Sequence, residues 1–329
     1  MGALTTALPA DRIVLHGNNK SSDELRQALD AGVGRIVVDS FDEMDRIEAL
    51  VAAGAPIPKV LVRVTPGVEA HTHEYVRTGQ QDSKFGFGLA SGDAAAAVIR
   101  ASGSDAMDLV GVHAHIGSQV FVADFFAEAI EVLAPFVTPL GLPELSIGGG
   151  LGVAYVVGEA APTISDWATA VHQACAEVGI EARPVAEPGR AITAQAAITL
   201  YRVGTIKEVP GIRTYVAVDG GMIDNPRPAL YGSGYETFLP RATLAERPRT
   251  VTVVGKHCES GDLLVRDGTV PGDLAVGDVL ATPVTGAYGH SMGSNYNKLP
   301  RPPVVFCRGG EARLVVRRET YEDLLRADL

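Results

Sequence analysis

Four clusters in this chain hold reactive side chains beside glycine, and a fifth is a bare glycine run: His113-Ala114-His115-Ile116-Gly117-Ser118-Gln119, Glu187-Pro188-Gly189-Arg190, His257-Cys258-Glu259-Ser260-Gly261-Asp262 and Gly286-Ala287-Tyr288, with Gly148-Gly149-Gly150. Their types suit one task. A glycine run lets backbone N–H groups approach a phosphate. A carboxylate can hold a protonated ring nitrogen, and a histidine can stack on a ring. Together these are the parts of a pyridoxal phosphate (PLP) site.

Taken singly, each cluster has a plainer reading. The Gly148 triplet also suits a tight turn that needs positive φ. Glu187 also suits a surface ion pair with Arg190. His113 and His115 lie two apart, so a strand points both to one face, where one of them can be merely packed. That pair, or His71 with His73, could also bind a metal, but no third ligand is spaced to match, and we expect none. Cys258, between His257 and Glu259, can exchange a proton or be an inert buried thiol. Arg227 and Tyr231, in Asn225-Pro226-Arg227-Pro228-Ala229-Leu230-Tyr231, can bind a carboxylate through a guanidinium and a hydroxyl, or pack on the surface. Five clusters suited to one cofactor are not independent coincidences.

The elements that position these clusters follow from hydrophobic patterning. Apolar runs at 12–17, 35–39, 59–65, 109–115, 144–147 and 183–187 read as buried strands. Helical patterns fill the gaps, at 22–32, 41–54, 92–102, 122–138 and 164–178. Ser21 with Glu24, and Ser40 with Glu43, form capping-box patterns ahead of the first two helices. Buried strands alternating with helices imply a parallel sheet covered on both faces. Polar or glycine residues at the strand ends favour a β/α barrel of the TIM type, with its site at one face. A doubly wound sheet is the alternative, but its Gly-x-Gly-x-x-Gly after the first strand is missing. Beyond about residue 191 short alternating segments separated by Gly, Pro and Asp take over: 194–206, 213–219, 250–256, 262–266, 279–283, 303–308 and 311–317. They predict an antiparallel β domain. The expected division is therefore 1–191, a PLP-binding β/α barrel domain, and 192–329, a C-terminal β domain carrying Cys258 and Tyr288.

The chain has 329 residues, of which 46% are hydrophobic and 20% charged, enough to fill such cores. Its formal charge of −11 argues against nucleic acid or an anionic membrane as partner. No apolar run reaches the ~18–20 residues of a membrane span, and residues 1–12 show no secretory signal. Cys175, Cys258 and Cys307 give neither a disulfide framework nor a zinc pattern, so a cytoplasmic protein is expected.

The motifs resemble those of the diaminopimelate decarboxylases, members of the alanine racemase-like (fold type III) PLP enzymes. The resemblance rests on His16-Gly17-Asn18-Asn19-Lys20-Ser21, Asp82-Ser83-Lys84-Phe85-Gly86-Phe87 and the five clusters above, in family order from about residue 10 onward. It implies decarboxylation of meso-2,6-diaminopimelate to L-lysine. It implies that His115 stacks on the PLP ring and that Ser118 lies close to the cofactor. Gly149, Gly150 and the backbone of Glu187, Pro188, Gly189 and Arg190 would hold the phosphate, with Glu187 facing the ring nitrogen and Tyr288 touching the cofactor. Arg190, Arg227, Tyr231, Glu259 and Tyr288 would contact substrate. Cys258 would return a proton after carbon dioxide leaves. It also implies a head-to-tail homodimer in which Cys258 and Glu259 reach the partner's site, and Lys20 paired across that dimer with Asp262. In the family the PLP-bearing lysine precedes the position of His16, at the end of the first barrel strand. The expectation is thus an N-terminally shortened barrel of about six of the eight units. A non-catalytic relative that binds a full-length subunit, or a decarboxylase of another basic amino acid such as carboxynorspermidine, is the alternative.

Overall fold

The structure is a computed structural model, and it describes residues 2–67 and 82–329. His71 and His73 lie outside the described residues. The described chain divides into two compact units. One comprises residues 1–152 and 161–188; the other comprises 153–160 and 189–329.

The first unit is built on a seven-stranded sheet. Its strands are β1 (Val14–Leu15), β2 (Arg35–Val38), β3 (Lys59–Thr65), β4 (Phe87–Gly88), β5 (Asp108–His113), β6 (Glu144–Ser146) and β7 (Arg183–Val185). The order is β1-β2-β3-β5-β6-β7 with β4 attached to β3, and every pairing is parallel. Path strands therefore follow one another in chain order without a reversal. A doubly wound sheet reverses direction at a switch point, so this is a curled, partial β/α barrel.

The helices between the strands are α1 (Ser22–Ala31), α2 (Phe41–Ala52), α3 (Asp93–Gly103), α4 (Asp124–Val137) and α5 (Ile164–Glu177). Local chemistry sets their ends. Ser21 and Glu24 form the full capping box, and Gly32 closes α1 in the left-handed conformation, at φ 69°. The second expected box forms only by half. Ser40 accepts the Glu43 N–H, but the buried Glu43 carboxylate takes the Asp39 N–H and pairs with Lys20 at 2.8 Å. Each helix buries one apolar stripe, such as Leu25 and Leu29, Met44 and Ile47, or Phe126, Ile130 and Leu133. Ile36, Val60, Val62, Val112 and Leu145 of the sheet are buried as well. Each such side chain contributes about 1.5–3 kcal/mol.

At the strand starts, Glu144 of β6 gathers two arginines. Its oxygens accept Arg35 Nε at 2.9 Å, Arg35 Nη2 at 2.7 Å and Arg183 Nη2 at 2.6 Å. The Arg35 hydrogen bonds, against a smaller opposing effect of burial, hold its carboxyl down to about 2. The folded value lies below the ordinary 4.5, so this stability is present above pH 4.5 and lost as pH falls toward 2. Glu144→Gln should destabilise the protein by about 2–3 kcal/mol at pH 7. Urea midpoints of variant and wild type should converge between about pH 5 and pH 2; a constant gap over that range would refute the assignment.

The second unit holds a five-stranded sheet in the order β11-β10-β9-β8-β12. These are β8 (Ile198–Val209), β9 (Arg213–Val218), β10 (Arg249–Val254), β11 (Leu263–Val270) and β12 (Val279–Pro283). The expected antiparallel sheet needs one correction, because β9 and β10 pair in parallel. The long excursion between them, residues 219–248, includes a short helix, and it returns the chain to the same end of the sheet before β10 begins. A second correction concerns the start of β8. The Ala-rich run after Gly189 forms the short helix α6 (Gly189–Thr193) and a 3₁₀ turn instead, so β8 opens at Ile198 rather than 194. Alanine favours helix where no neighbour imposes a strand. A further helix, α7, spans Arg227–Tyr231. The core joins Tyr201, Val203, Val216, Val251, Val253, Leu264 and Leu280 to Val153 and Tyr155. The hairpin of β13 (Val304–Arg308) and β14 (Glu311–Val316) turns on Gly309 and Gly310, at φ 59° and 83°. The short helix α8 (Tyr321–Leu325) follows. Among the described residues, no helix is long and apolar enough to cross a membrane.

Candidate functional site

Three strand ends of the first unit converge on Glu187, two residues past β7. Ser146, the last residue of β6, donates its hydroxyl to Glu187 Oε1 at 3.0 Å. His113, the last residue of β5, places Nε2 3.3 Å from the same oxygen. His16, just past β1, places its Nε2 at 3.5 Å. Burial pushes the Glu187 carboxyl up, but the hydrogen bonds from His113 and His16 outweigh it, and the carboxyl stays well below the usual range. Burial pushes His113 down. The pair is therefore a carboxylate and a neutral imidazole that donates Nε2–H. His113 Nδ1 then remains bare, buried without a hydrogen-bond partner.

Backbone hydrogen bonds tie the loops after β5, β6 and β7 together. Ala114 N–H donates to the Ser146 carbonyl at 2.8 Å, Glu187 N–H to the Gly148 carbonyl at 2.8 Å, and Val120 N–H to the Gly150 carbonyl at 2.9 Å. Glycine is required for this approach. A Cβ on Gly149 would sit 2.3 Å from the Glu187 carbonyl oxygen, and one on Gly150 would sit 2.2 Å from that of Gly117. Gly148 and Gly150 also hold φ of 68° and 106°. Gly149 donates its N–H to His115 Nδ1 at 3.1 Å. The other nitrogen of His115 therefore carries the proton. Burial, aided by the charge of Arg63, lowers this imidazole to about 4 and keeps it neutral.

Two sequence expectations change here. β5 stops at His113, so His113 and His115 do not share a strand face. His113 turns to Glu187, while His115, beyond the strand, meets the glycine loop. The expectation of no third group to match a histidine is also corrected. His16 and Glu187 join His113, with their donor atoms all within 4.8 Å of one another. Parallel register brings them together, which spacing along the chain cannot reveal.

The second unit carries the remaining candidates. Arg190, in α6, is buried, and it donates Nη1 to the Tyr155 hydroxyl at 2.7 Å. Its guanidinium lies 4.6 Å from the centre of the Tyr288 ring. Arg227, the first residue of α7, is 4% exposed. It donates Nη2 to Ser233 Oγ at 2.9 Å, and it lies 4.7 Å from the Tyr155 ring centre and 5.8 Å from that of Tyr231. Among the described residues, no carboxylate lies within ion-pair distance of Arg227, and its Nε has no hydrogen-bond partner. A buried cation without an anion is costly, so this guanidinium is set to receive one. Tyr155, which contacts both guanidiniums, was not singled out in the sequence. Its signal was its place directly after the glycine triplet, at the end of Leu151-Gly152-Val153-Ala154-Tyr155.

Cys258 is exposed on the turn after β10. The turn is anchored from beneath by Asp262, which accepts His257 Nδ1–H at 2.6 Å, His257 N–H at 2.8 Å and Met222 N–H at 2.7 Å. Glu259, next to the thiol, accepts the Tyr296 hydroxyl at 3.2 Å, and the Tyr296 ring stacks on His257 with centres 5.8 Å apart. Asp262 is thus engaged within its own unit. Lys20 likewise pairs with Glu43 and donates to the carbonyls of Gly17 and Val37. Within the single chain Lys20 and Asp262 each have partners of their own, and the expected pairing of the two is one across a dimer.

The first unit fits PLP by its donor chemistry. An ionised carboxylate can pair with a protonated pyridine nitrogen, a neutral imidazole can lie against the ring, and glycine backbone can approach a phosphate. Comparison with known proteins agrees. Residues 1–194 match the family model described as pyridoxal-dependent decarboxylase, pyridoxal binding domain. The chain is 49% identical over 335 residues to diaminopimelate decarboxylase of Actinosynnema pretiosum subsp. auranticum, covering 99% of this chain and 75% of that enzyme. It is 47% identical over 342 residues to the Mycobacterium tuberculosis H37Rv enzyme, covering 98% and 76%. The crystal structure of Helicobacter pylori diaminopimelate decarboxylase complexed with L-lysine superposes with a TM-score of 0.90 at 33% identity, covering 98% of this chain and 80% of that one.

Proposed function

Since the chain belongs to the diaminopimelate decarboxylases, we infer that it converts meso-2,6-diaminopimelate to L-lysine and carbon dioxide, with PLP as cofactor. The observation that carries the substrate assignment is Arg227, a buried guanidinium with no carboxylate of its own among the described residues. The substrate keeps one carboxylate through the reaction, and a decarboxylase of simple diamino acids would have no such group to place there.

When bound, PLP supplies the electron sink for the pair released as the carboxylate departs. The residues of this chain do the rest. Glu187 holds a proton on the pyridine nitrogen, supported by its ionised state and by Ser146, His113 and His16 around it. His115 would back the ring, with Ser118 beside it. Gly149, Gly150, Gly189 and Arg190 would hold the phosphate by backbone N–H groups, with Pro188 shaping the turn between them, and Tyr288 would close on the cofactor. Arg190, Arg227 and Tyr231 bind the retained carboxylate, and Glu259 the ammonium beside it. Cys258 delivers a proton to the carbon that lost its carboxylate; its exposure on an anchored turn supports that role. The same reading makes the protein a cytoplasmic head-to-tail homodimer in which Cys258 and Glu259 serve the partner's site.

The test is turnover by the purified protein supplied with PLP. L-Lysine should appear from meso-diaminopimelate, with no amine formed from L-ornithine or L-lysine. Amine from either of those, with meso-diaminopimelate untouched, would overturn the assignment.

A further inference from the structure

We propose that Tyr155 is the positioning residue of the two arginines, and that it sets the protein's preference for ligands with a carboxylate at the far end. The proposal rests on the reading that Arg190 and Arg227 bind that carboxylate.

Tyr155 is 4% exposed. Both guanidiniums lie within reach of its ring, Arg227 at 4.7 Å and Arg190 at 5.9 Å from the centre. Its hydroxyl accepts Arg190 Nη1 at 2.7 Å. Tyr288 lies by Arg190, and Tyr231 and Ser233 lie by Arg227. Tyr155 touches both. Its own position is set by Tyr235, which packs edge-on with ring centres 5.0 Å apart. Burial pushes the Tyr235 hydroxyl up to about 12, so this support is neutral.

The chemistry of the frame explains its use. Two like charges placed close together repel, and the usual remedy is a carboxylate between them. A carboxylate would also occupy the position a ligand needs. An aromatic ring holds a cation by its quadrupole without cancelling the charge. A phenolic oxygen adds a directional acceptor, again without a charge. Tyr155 thus fixes both guanidiniums without adding a charge of its own.

L-Lysine and cadaverine differ by the single carboxylate in question. Calorimetry on the PLP-supplied protein should therefore find L-lysine bound at least about tenfold more tightly than cadaverine. Tyr155→Leu should bring that ratio close to one, mainly by weakening L-lysine, with cadaverine changed less than about threefold. Tyr155→Phe keeps the ring and loses the acceptor, so its ratio should fall by about threefold to tenfold. If the wild type discriminates and Tyr155→Leu discriminates equally, the proposal fails while the substrate reading stands. If the wild type shows no preference, the arginines do not bind the carboxylate, and both fall. A melting curve reports whether Tyr155→Leu folds. Should it not, Tyr155→Phe decides, and an unchanged ratio there overturns the proposal.

Discussion

Replacing Cys258 by alanine lowers kcat for meso-diaminopimelate by about 10²–10⁴-fold, the range for losing a positioned proton donor. KM and the melting temperature change little. The thiol is exposed and packs no core, so its removal creates no cavity. The turn that presents it is anchored instead through Asp262, His257 and Met222. Cys258→Ser is the informative companion, because a hydroxyl is a far weaker acid than a thiol. It should recover little of the lost rate even though it restores the shape. Steady-state lysine formation by the three proteins, beside their melting curves, checks this. A Cys258→Ala protein with wild-type kcat would remove the thiol from the mechanism.

Glu187→Gln lowers kcat by about 10²–10³-fold, the cost of losing a preorganised electrostatic contact at the reacting system, and it does so without releasing the cofactor. An amide cannot hold the ring nitrogen's proton as a carboxylate does. The phosphate contacts assigned to the glycine loop are backbone groups, which this substitution leaves in place. Absorbance of added PLP should therefore show a retained cofactor with a shifted band, while lysine formation falls. The carboxyl of Glu187 is held low by His113 and His16 despite its burial. In the wild type it stays charged as pH falls through the ordinary carboxylate range, so loss of activity near the ordinary value of 4.5 should not come from this group. Loss of PLP binding together with activity in Glu187→Gln would instead make the carboxylate a cofactor anchor.

Much of this could be read along the chain. Each expected strand of the first unit exists, though β1 shrinks to Val14–Leu15 because few residues there find a neighbour to pair with. The cap at Ser21–Glu24 formed as expected, since both partners lie within one turn of helix. The cap at Ser40–Glu43 formed by half, because Lys20 claimed the carboxylate from another part of the sheet. The same contrast holds in the functional residues. Glu187 and the glycine triplet stood out by type and by their place at strand ends. Ser146, which donates to Glu187, carried no local mark, and His16 stood out only as part of the family motif, with no sign of its partner. Tyr155 was hidden for another reason: a short segment, residues 153–160, leaves the first unit to pack with the second.

By itself, then, the sequence determined the alternation of strands and helices, the positions that needed glycine, and the chemical types at the strand ends. Periodicity, capping and turn chemistry act over a few residues, so they are written locally. Only the tertiary structure decided that two histidines and a serine would surround one glutamate, that Lys20 and Asp262 would each find partners within their own unit, and that one tyrosine would hold two arginines. Those contacts depend on strand register and on which segments pack together, and neither is a property of spacing along the chain.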